Sequence, residues 1–309
     1  MFKTFIRRLL FLPLALALVN FLGFAYAHYG HWVQSLRNPL ISSRGVLEPI
    51  LPVYWDFIKN LYSGNAFLSP GLTLQSVLAV SIVNSLGLLG IAFGLSLVIG
   101  LSLGLLSVNV EPPRVTGWMI PISTVGLAMP SFFIGGVLIT ASVFYILNLS
   151  AGQHQFPFPI YGFGWDKHLV FPVIALTVRP VMQIALTTAT LLATEFRQQY
   201  VSVARSFGYS WRLIRWKTAL RNIITPVILT TATSLRLMVG ELILVENLFG
   251  WPGIGYRLAT ASSSLDPALV SSILTVVAAF FLLIDLTVFA TSRLADPRLR
   301  LHSEEPSLA

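Results

Sequence analysis

Residues Leu78 to Val108 read LAVSIVNSLGLLGIAFGLSLVIGLSLGLLSV. No charged residue interrupts this stretch. A helix that crosses a bilayer needs about 20 mainly apolar residues. This run is longer, so a helix here must tilt, kink or extend beyond the hydrocarbon. It carries Gly90-x-x-x-Gly94 and Gly100-x-x-x-Gly104, with Gly87 just before. Small residues at that spacing let helix backbones approach closely. The expectation is one smooth face toward a neighbouring helix, although glycine is also simply common in membrane helices.

The rest of the chain follows suit. Of 309 residues, 55% are hydrophobic and 10% charged, whereas a soluble domain carries about 25% charged residues. So few charges cannot cover a surface facing water. Six apolar spans are expected: about Leu9–Ala27, Leu78–Val108, Trp118–Leu149, Leu169–Ala193, Ile223–Phe249 and Ala268–Ser292. Pro121 and Pro130 are expected kink sites in the third. The fold class is an all-α polytopic membrane protein. Its expected regions are a first helix with an extracytoplasmic loop (1–77), a core (78–300) containing a basic loop (195–222), and a polar tail (301–309). The aromatic and proline-rich stretch from His28 to Val77 predicts an interfacial or short helical piece. Ala25-Tyr26-Ala27 resembles a signal-peptidase site, but the apolar run before it exceeds the usual signal core, so the first span is expected to be retained.

Lysine and arginine positions set the orientation. With a cytoplasmic N-terminus, the inside segments hold Lys3, Arg7, Arg8, Arg114, Arg197, Arg205, Arg212, Arg215, Lys217, Arg221, Arg293, Arg298 and Arg300. The outside segments hold only Arg37, Arg44, Lys59, Lys167 and Arg257. That bias predicts both termini in the cytoplasm. It also accounts for the net charge of +8 through membrane lipid and topology, and excludes a nucleic-acid partner.

The loop from Glu195 to Arg221 holds six basic residues and one acid. Phe196, Tyr200, Val203 and Phe207 step by four, three and four, the spacing of one helix face. Gly208 breaks the row, and Trp211 with Ile214 suggests a second short helix. Two readings stand on pattern alone: a helix lying on the membrane with its arginines on lipid phosphates, or one seated in a groove of a partner protein.

Ionisable residues inside spans default to functional candidates. Arg179 lies about 14 Å into the fourth span and Glu241 at a similar depth in the fifth, at 1.5 Å per residue, so they can pair. Arg236 and Glu241 are five apart, about 140° around one helix, and make poor partners. Asp285 sits nearer the inner side of the sixth span. Arg179, Arg236, Glu241 and Asp285 either line a polar pathway, where they can meet the charged termini of a peptide, or form structural ion pairs at a subunit contact. His28, His31, His154, His168 and His302 all lie outside the spans, and His28 with His31 makes an incomplete metal set. The chain has no cysteine and no intramembrane serine–histidine arrangement, so no catalytic residue and no metal site is assigned. A phosphate-binding loop ends in Gly-Lys followed by Ser or Thr. None of Lys3, Lys59, Lys167 and Lys217 follows a glycine. Energy must come from a partner ATPase or from an ion gradient.

The run Val201-Ser202-Val203-Ala204-Arg205-Ser206-Phe207-Gly208, followed by Ala219-Leu220-Arg221-Asn222 and Pro226, resembles the cytoplasmic coupling motif of ABC importer permeases. Glu246-Asn247-Leu248-Phe249-Gly250-Trp251-Pro252-Gly253-Ile254-Gly255 resembles the signature of dipeptide and oligopeptide permeases, and Asp296-Pro297-Arg298 matches that family's usual ending. The similarity covers roughly Phe171 to Arg300. Ser202 stands where the motif has a glutamate and Val203 where it has its first alanine. Asp285 and Phe289 stand where the family has an asparagine and then an aspartate.

The resemblance to the B-type subunit of that binding-protein-dependent family implies a type I ABC importer permease fold in the cell (inner) membrane. It implies an ATPase-coupling segment at Val203, Ala204, Arg205, Ser206, Phe207, Gly208 and Tyr209. It implies a periplasmic gate signature at Glu246, Trp251, Pro252 and Gly253. Implied partners are a second homologous permease subunit, ABC ATPase subunits holding ATP and Mg, and an extracytoplasmic solute-binding protein. The implied cargo is a peptide or a related small solute, with no cofactor in this chain. The alternative is a gradient-driven secondary transporter; such proteins show inverted repeats, and no convincing repeat is visible.

Overall fold

A computed structural model of the chain describes residues 2–37, 47–63, 67–69, 72–148 and 157–295. The expected Asp296-Pro297-Arg298 ending, the 301–309 tail, His154 and Arg44 lie outside the described residues. Among those described, six helices are long and apolar enough to cross a membrane, over Phe11–Leu36, Leu74–Leu106, Ser131–Asn148, Lys167–Glu195, Trp211–Phe249 and Pro267–Ala290. The chain is an all-α polytopic membrane protein, as its composition predicts. It divides into two compact units, Met1–Gly87 with Gly250–Leu283, and Leu88–Phe249 with Ile284–Ala309.

In the first unit, α1 (Phe2–Arg37) runs ten residues past its expected end at Ala27. Nothing in the sequence stops a helix before Asn38-Pro39, and the residue ahead of a proline disfavours helical backbone. The short helix expected between His28 and Val77 is α2 (Ile50–Tyr62). It closes a small core of Phe24, Phe57 and Leu74. The Tyr54 hydroxyl donates to Asn20 Oδ1 at 3.0 Å, and Asn20 Nδ2 donates to Thr275 Oγ1 at 2.9 Å. A two-stranded ribbon, β1 (Phe67–Ser69) and β2 (Leu72–Thr73), leads into α3 (Leu74–Leu106). A second core gathers Ala27 with Ile254 and Ala261 of α10 (Ile254–Ser264) and with Val270 and Ile273 of α11 (Pro267–Ala295).

In the second unit, α3 ends in a hairpin, β3 (Val108–Val110) and β4 (Pro113–Val115). The expected third span is two helices, α4 (Met119–Ala128) and α5 (Ser131–Asn148). Pro130 causes the break. Met129 before it is extended, at φ −85° and ψ 116°, as a pre-proline residue prefers. Pro121 does not kink anything, because it occupies the first turn of α4, where its missing N–H is not needed. The central helix is α6 (Val170–Glu195), packed most extensively on α9 (Leu220–Phe249) and then on α4 and α5.

The glycines of α3 serve two different surroundings. A Cβ added at Gly100 would come within 2.9 Å of the Ile184 Cβ, and one at Gly104 within 2.8 Å of the Ala185 carbonyl oxygen. At Gly90 and Gly94 an added Cβ meets nothing within 4 Å. The expected single smooth face is therefore half used against α6 and half open. Gly104→Leu is expected to lower the thermal stability of the detergent-solubilised chain by about 1–3 kcal/mol through overpacking. Gly90→Ala, which adds helix propensity without a clash, should leave the same melting measurement unchanged or slightly raised.

Candidate functional site

The loop between α6 and α9 is a folded element. After Glu195 the chain turns through Phe196–Gln198, where Gln198 is extended at ψ 149°. Helix α7 (Gln199–Ser206) follows, then α8 (Trp211–Ile214) and a π-helical turn, Arg215–Ala219, that runs into α9. Ser210 caps α8, its Oγ accepting from the Leu213 N–H at 3.3 Å.

Gly208 is the punctuation between the two short helices. The Tyr209 N–H donates to the Ala204 carbonyl at 3.1 Å, and the Gly208 N–H to the Arg205 carbonyl at 2.9 Å. This pair of bonds is the Schellman closure, which needs a left-handed residue at the second-last position. Gly208 supplies it at φ +79°.

The expected apolar row does not form one face. Phe196 belongs to the end of α6, and the extended Gln198 breaks the register before α7 begins. Phe196 and Val201 turn inward, joining Ile214 and Ala219 in a core shared with Leu192 and Ala193 of α6, Ile223 of α9 and Val108 of β3. Val203, Phe207 and Tyr209 point away from it and are 54%, 76% and 52% exposed. The coupling candidates therefore separate by role. Ala204 packs on the core, Arg205 and Ser206 bond back to the loop, and Val203, Phe207 and Tyr209 form an open apolar tip.

Polar contacts fix this tip in place. The Tyr200 hydroxyl donates to the Glu195 carboxylate, which also accepts from Asn222 Nδ2 at 3.2 Å. Burial, and then the Glu195 carboxylate, raise the Tyr200 phenol above its ordinary value of 10. Its hydroxyl therefore stays a donor throughout the neutral range. A raised pKa contributes stability that is fully present below the ordinary value and is lost only as pH rises through the raised one. Tyr200→Phe should cost the loop about 1 kcal/mol, seen as faster amide exchange in α7 at neutral pH, and should remove the parent's further loss of protection above pH 10.

The β3–β4 hairpin clasps the loop from the other side. Glu111 at its tip accepts from Trp211 Nε1 at 2.9 Å and pairs with Arg205 at 3.8 Å. Arg205 lies over the Trp211 ring at 4.9 Å, and Arg197 Nε donates to the Pro113 carbonyl at 3.0 Å. Glu111 and Glu195 are not candidates from sequence, where Trp211 marks only a second short helix and Asn222 only part of the coupling-motif resemblance. The available signal was a lone acid beside Pro112-Pro113, in a segment too short to suggest structure of its own.

The intramembrane charges form two ion pairs. Arg179 pairs with Glu241, as their similar depths allow, and Arg236 pairs with Asp285. Arg236 and Glu241 go to different partners on different flanks of α9. The Arg179 and Glu241 side chains are 33% and 14% exposed, against 43% and 50% for Arg236 and Asp285.

At the far end of α9, Glu246 is fully buried. The Trp251–Gly253 turn begins with Gly250 at φ +67°. Trp251, also fully buried, donates from Nε1 to the Asn84 carbonyl at 3.1 Å. Asn84 Nδ2 returns a bond to the Pro252 carbonyl at 3.0 Å, and the Ile254 N–H donates to Ser85 Oγ at 2.7 Å. The amide in the opening stretch thus belongs to this turn, a role not legible from spacing. Among the described residues, no three His, Asp or Glu side chains gather as a metal set.

Six spans, a structured loop and paired intramembrane charges define a polytopic membrane protein. The chain belongs to the family of binding-protein-dependent transport system inner membrane components, whose model matches residues 96–301. It is a permease subunit of the ABC importer class. It is 25% identical to a probable peptide ABC transporter permease protein of Sinorhizobium fredii over 278 residues, 87% of this chain and 85% of that one. It is 23% identical to the oligopeptide transport system permease protein AppB of Bacillus subtilis over 86% of this chain and 85% of that one. It is 26% identical to the dipeptide transport system permease protein DppB of Lactococcus lactis subsp. cremoris over 83% of each.

Proposed function

We propose that this chain forms half of the translocation pathway of an ATP-driven importer for peptides or a related small solute, and that the 203–209 tip docks on a separate ATPase. The observation that carries this reading is the open apolar tip of Val203, Phe207 and Tyr209 on a loop whose Phe196, Val201 and Ile214 are buried. Large apolar side chains fixed outward on a short helix fit a groove in a partner. The absence of a Gly-Lys pair from the sequence supports a reading in which ATP and Mg are bound by that partner. The basic loop sits in the cytoplasm, with both termini, by the positive-inside bias. A second homologous permease subunit completes the pathway in the cell inner membrane, and an extracytoplasmic binding protein delivers the solute. The names of the relatives support a peptide cargo.

Affinity purification of the chain from native membranes, followed by peptide uptake in vesicles, tests this. An ATPase subunit should co-purify, and uptake should follow ATP and survive a proton ionophore. Uptake abolished by the ionophore, with no ATPase bound, would make the chain a gradient-driven carrier instead.

A further inference from the structure

The open face of α9 differs from that of α5. Thr233, Leu237, Gly240, Leu244 and Asn247 are exposed at steps of four, three, four and three, with Arg236 beside them. They make one continuous stripe along the helix, and most of it is polar or bare backbone. The large open side chains of α5 include by contrast Phe132, Phe133, Val137, Val143, Phe144 and Leu147, a surface suited to lipid or to an apolar neighbour.

The charged station on the stripe is the Arg236–Asp285 pair. Arg236 lies thirteen residues before the end of α9, or about 20 Å along the axis, well inside the span. Both side chains are close to half exposed. An open ion pair at that depth is costly against hydrocarbon, and such groups face the bundle interior or a water-filled cavity. The Arg179–Glu241 pair is different. It lies about 140° around α9 and is more enclosed, as a structural tie between α6 and α9 should be.

A guanidinium carries five N–H donors in a planar fork. Among the described residues Arg236 donates only to Asp285, so most of its fork is uncommitted. That fork fits a carboxylate bidentately. Asp285 holds the group in place through one N–H and leaves the rest of the positive fork open to an anion.

We infer that the α9 stripe lines the aqueous pathway and that Arg236, positioned by Asp285, is a transient binding site within the span for the free carboxylate of a passing solute. This rests on the importer reading above and narrows its cargo to carboxylate-bearing solutes.

The chain contains no cysteine, so single cysteines report without background. Gly240→Cys lies one turn from Arg236, and its added Cβ meets nothing within 4 Å. Thr233→Cys reports the same stripe, and Val137→Cys reports α5. The complete transporter in permeabilised membrane vesicles is treated with membrane-impermeant methanethiosulfonates, one anionic (ethylsulfonate) and one cationic (ethyltrimethylammonium). Both stripe cysteines should react at least about tenfold faster than Val137→Cys. Gly240→Cys should favour the anionic reagent several-fold through the nearby guanidinium. That preference should vanish in Arg236→Gln with Asp285→Asn, a neutral pair that leaves no unpaired charge to disturb folding. The same neutral pair should lower the ratio of uptake of a free tripeptide to that of its C-terminal amide, relative to the parent with the same binding protein.

Stripe cysteines as slow as Val137→Cys, in a complex that imports peptide, overturn the inference. Fast labelling without charge preference, together with an unchanged free-to-amide ratio, overturns the carboxylate site. Charge-selective labelling in a complex that imports no peptide supports the carboxylate site and sinks the peptide reading instead.

Discussion

Replacing Gly208 with valine is expected to cut solute uptake at least about tenfold while the complex still hydrolyses ATP. The cause is local backbone geometry. Beyond the chain neighbours Phe207 and Tyr209, no atom of the described residues lies within 4 Å of a Cβ built at Gly208, so collision with packed side chains plays no part. At φ +79° an L-residue pays about 1–2 kcal/mol for left-handed backbone, and a β-branched one is an outlier there. The Schellman bonds from Gly208 and Tyr209 back to Arg205 and Ala204 then compete with a relaxed turn. Since 1.4 kcal/mol is a factor of ten, the aligned tip becomes a minority state. Asparagine tolerates the left-handed region, so Gly208→Asn should keep most of the uptake. Parallel assays of uptake and ATP hydrolysis distinguish the cases, and wild-type uptake in Gly208→Val would remove the 203–209 tip from the coupling role.

The second large effect is expected at Glu241. Glu241→Ala leaves the Arg179 guanidinium without its counter-ion inside the span. Breaking an enclosed pair by removing one partner costs about 3–5 kcal/mol, whereas replacing both with apolar residues of similar size is often neutral. The partial exposure of Arg179 favours the lower end. Glu241→Ala should therefore lose about 3 kcal/mol in detergent melting and accumulate poorly in the membrane. The double change Arg179→Met with Glu241→Leu should recover most of the loss. A single variant as stable as the parent would show that the pair carries no structural weight.

The spans were legible because each is a long run of one chemical character, and depth along a run placed Arg179 opposite Glu241 without any structural information. Their ends were less legible. The helix from Phe2 passes Ala27 because polarity alone does not stop a helix; the expected third span splits because Pro130 does. The loop row failed for a related reason. Periodicity assumes one continuous helix, and the extended backbone of Gln198 removes Phe196 from the face of α7. Asn84 and Ser85 were unreadable for a different reason. Their partners are Trp251, Pro252 and Ile254, well over a hundred positions away, and no local pattern encodes such a meeting. Glu111 was hidden likewise, since its value lies in Trp211 and Arg205 beyond α6.

The hairpin around Glu111 changes how a force on the loop is distributed. A helix pair joined to the bundle only at Glu195 and Leu220 would act as a simple lever on α6 and α9. Here the Trp211 and Arg205 contacts to Glu111, and the Arg197 contact to Pro113, add anchor points on a ribbon rooted in α3 and α4. Displacing the tip loads four helices in parallel. A force on the tip is then shared among those anchor points and does not fall on α6 and α9 alone.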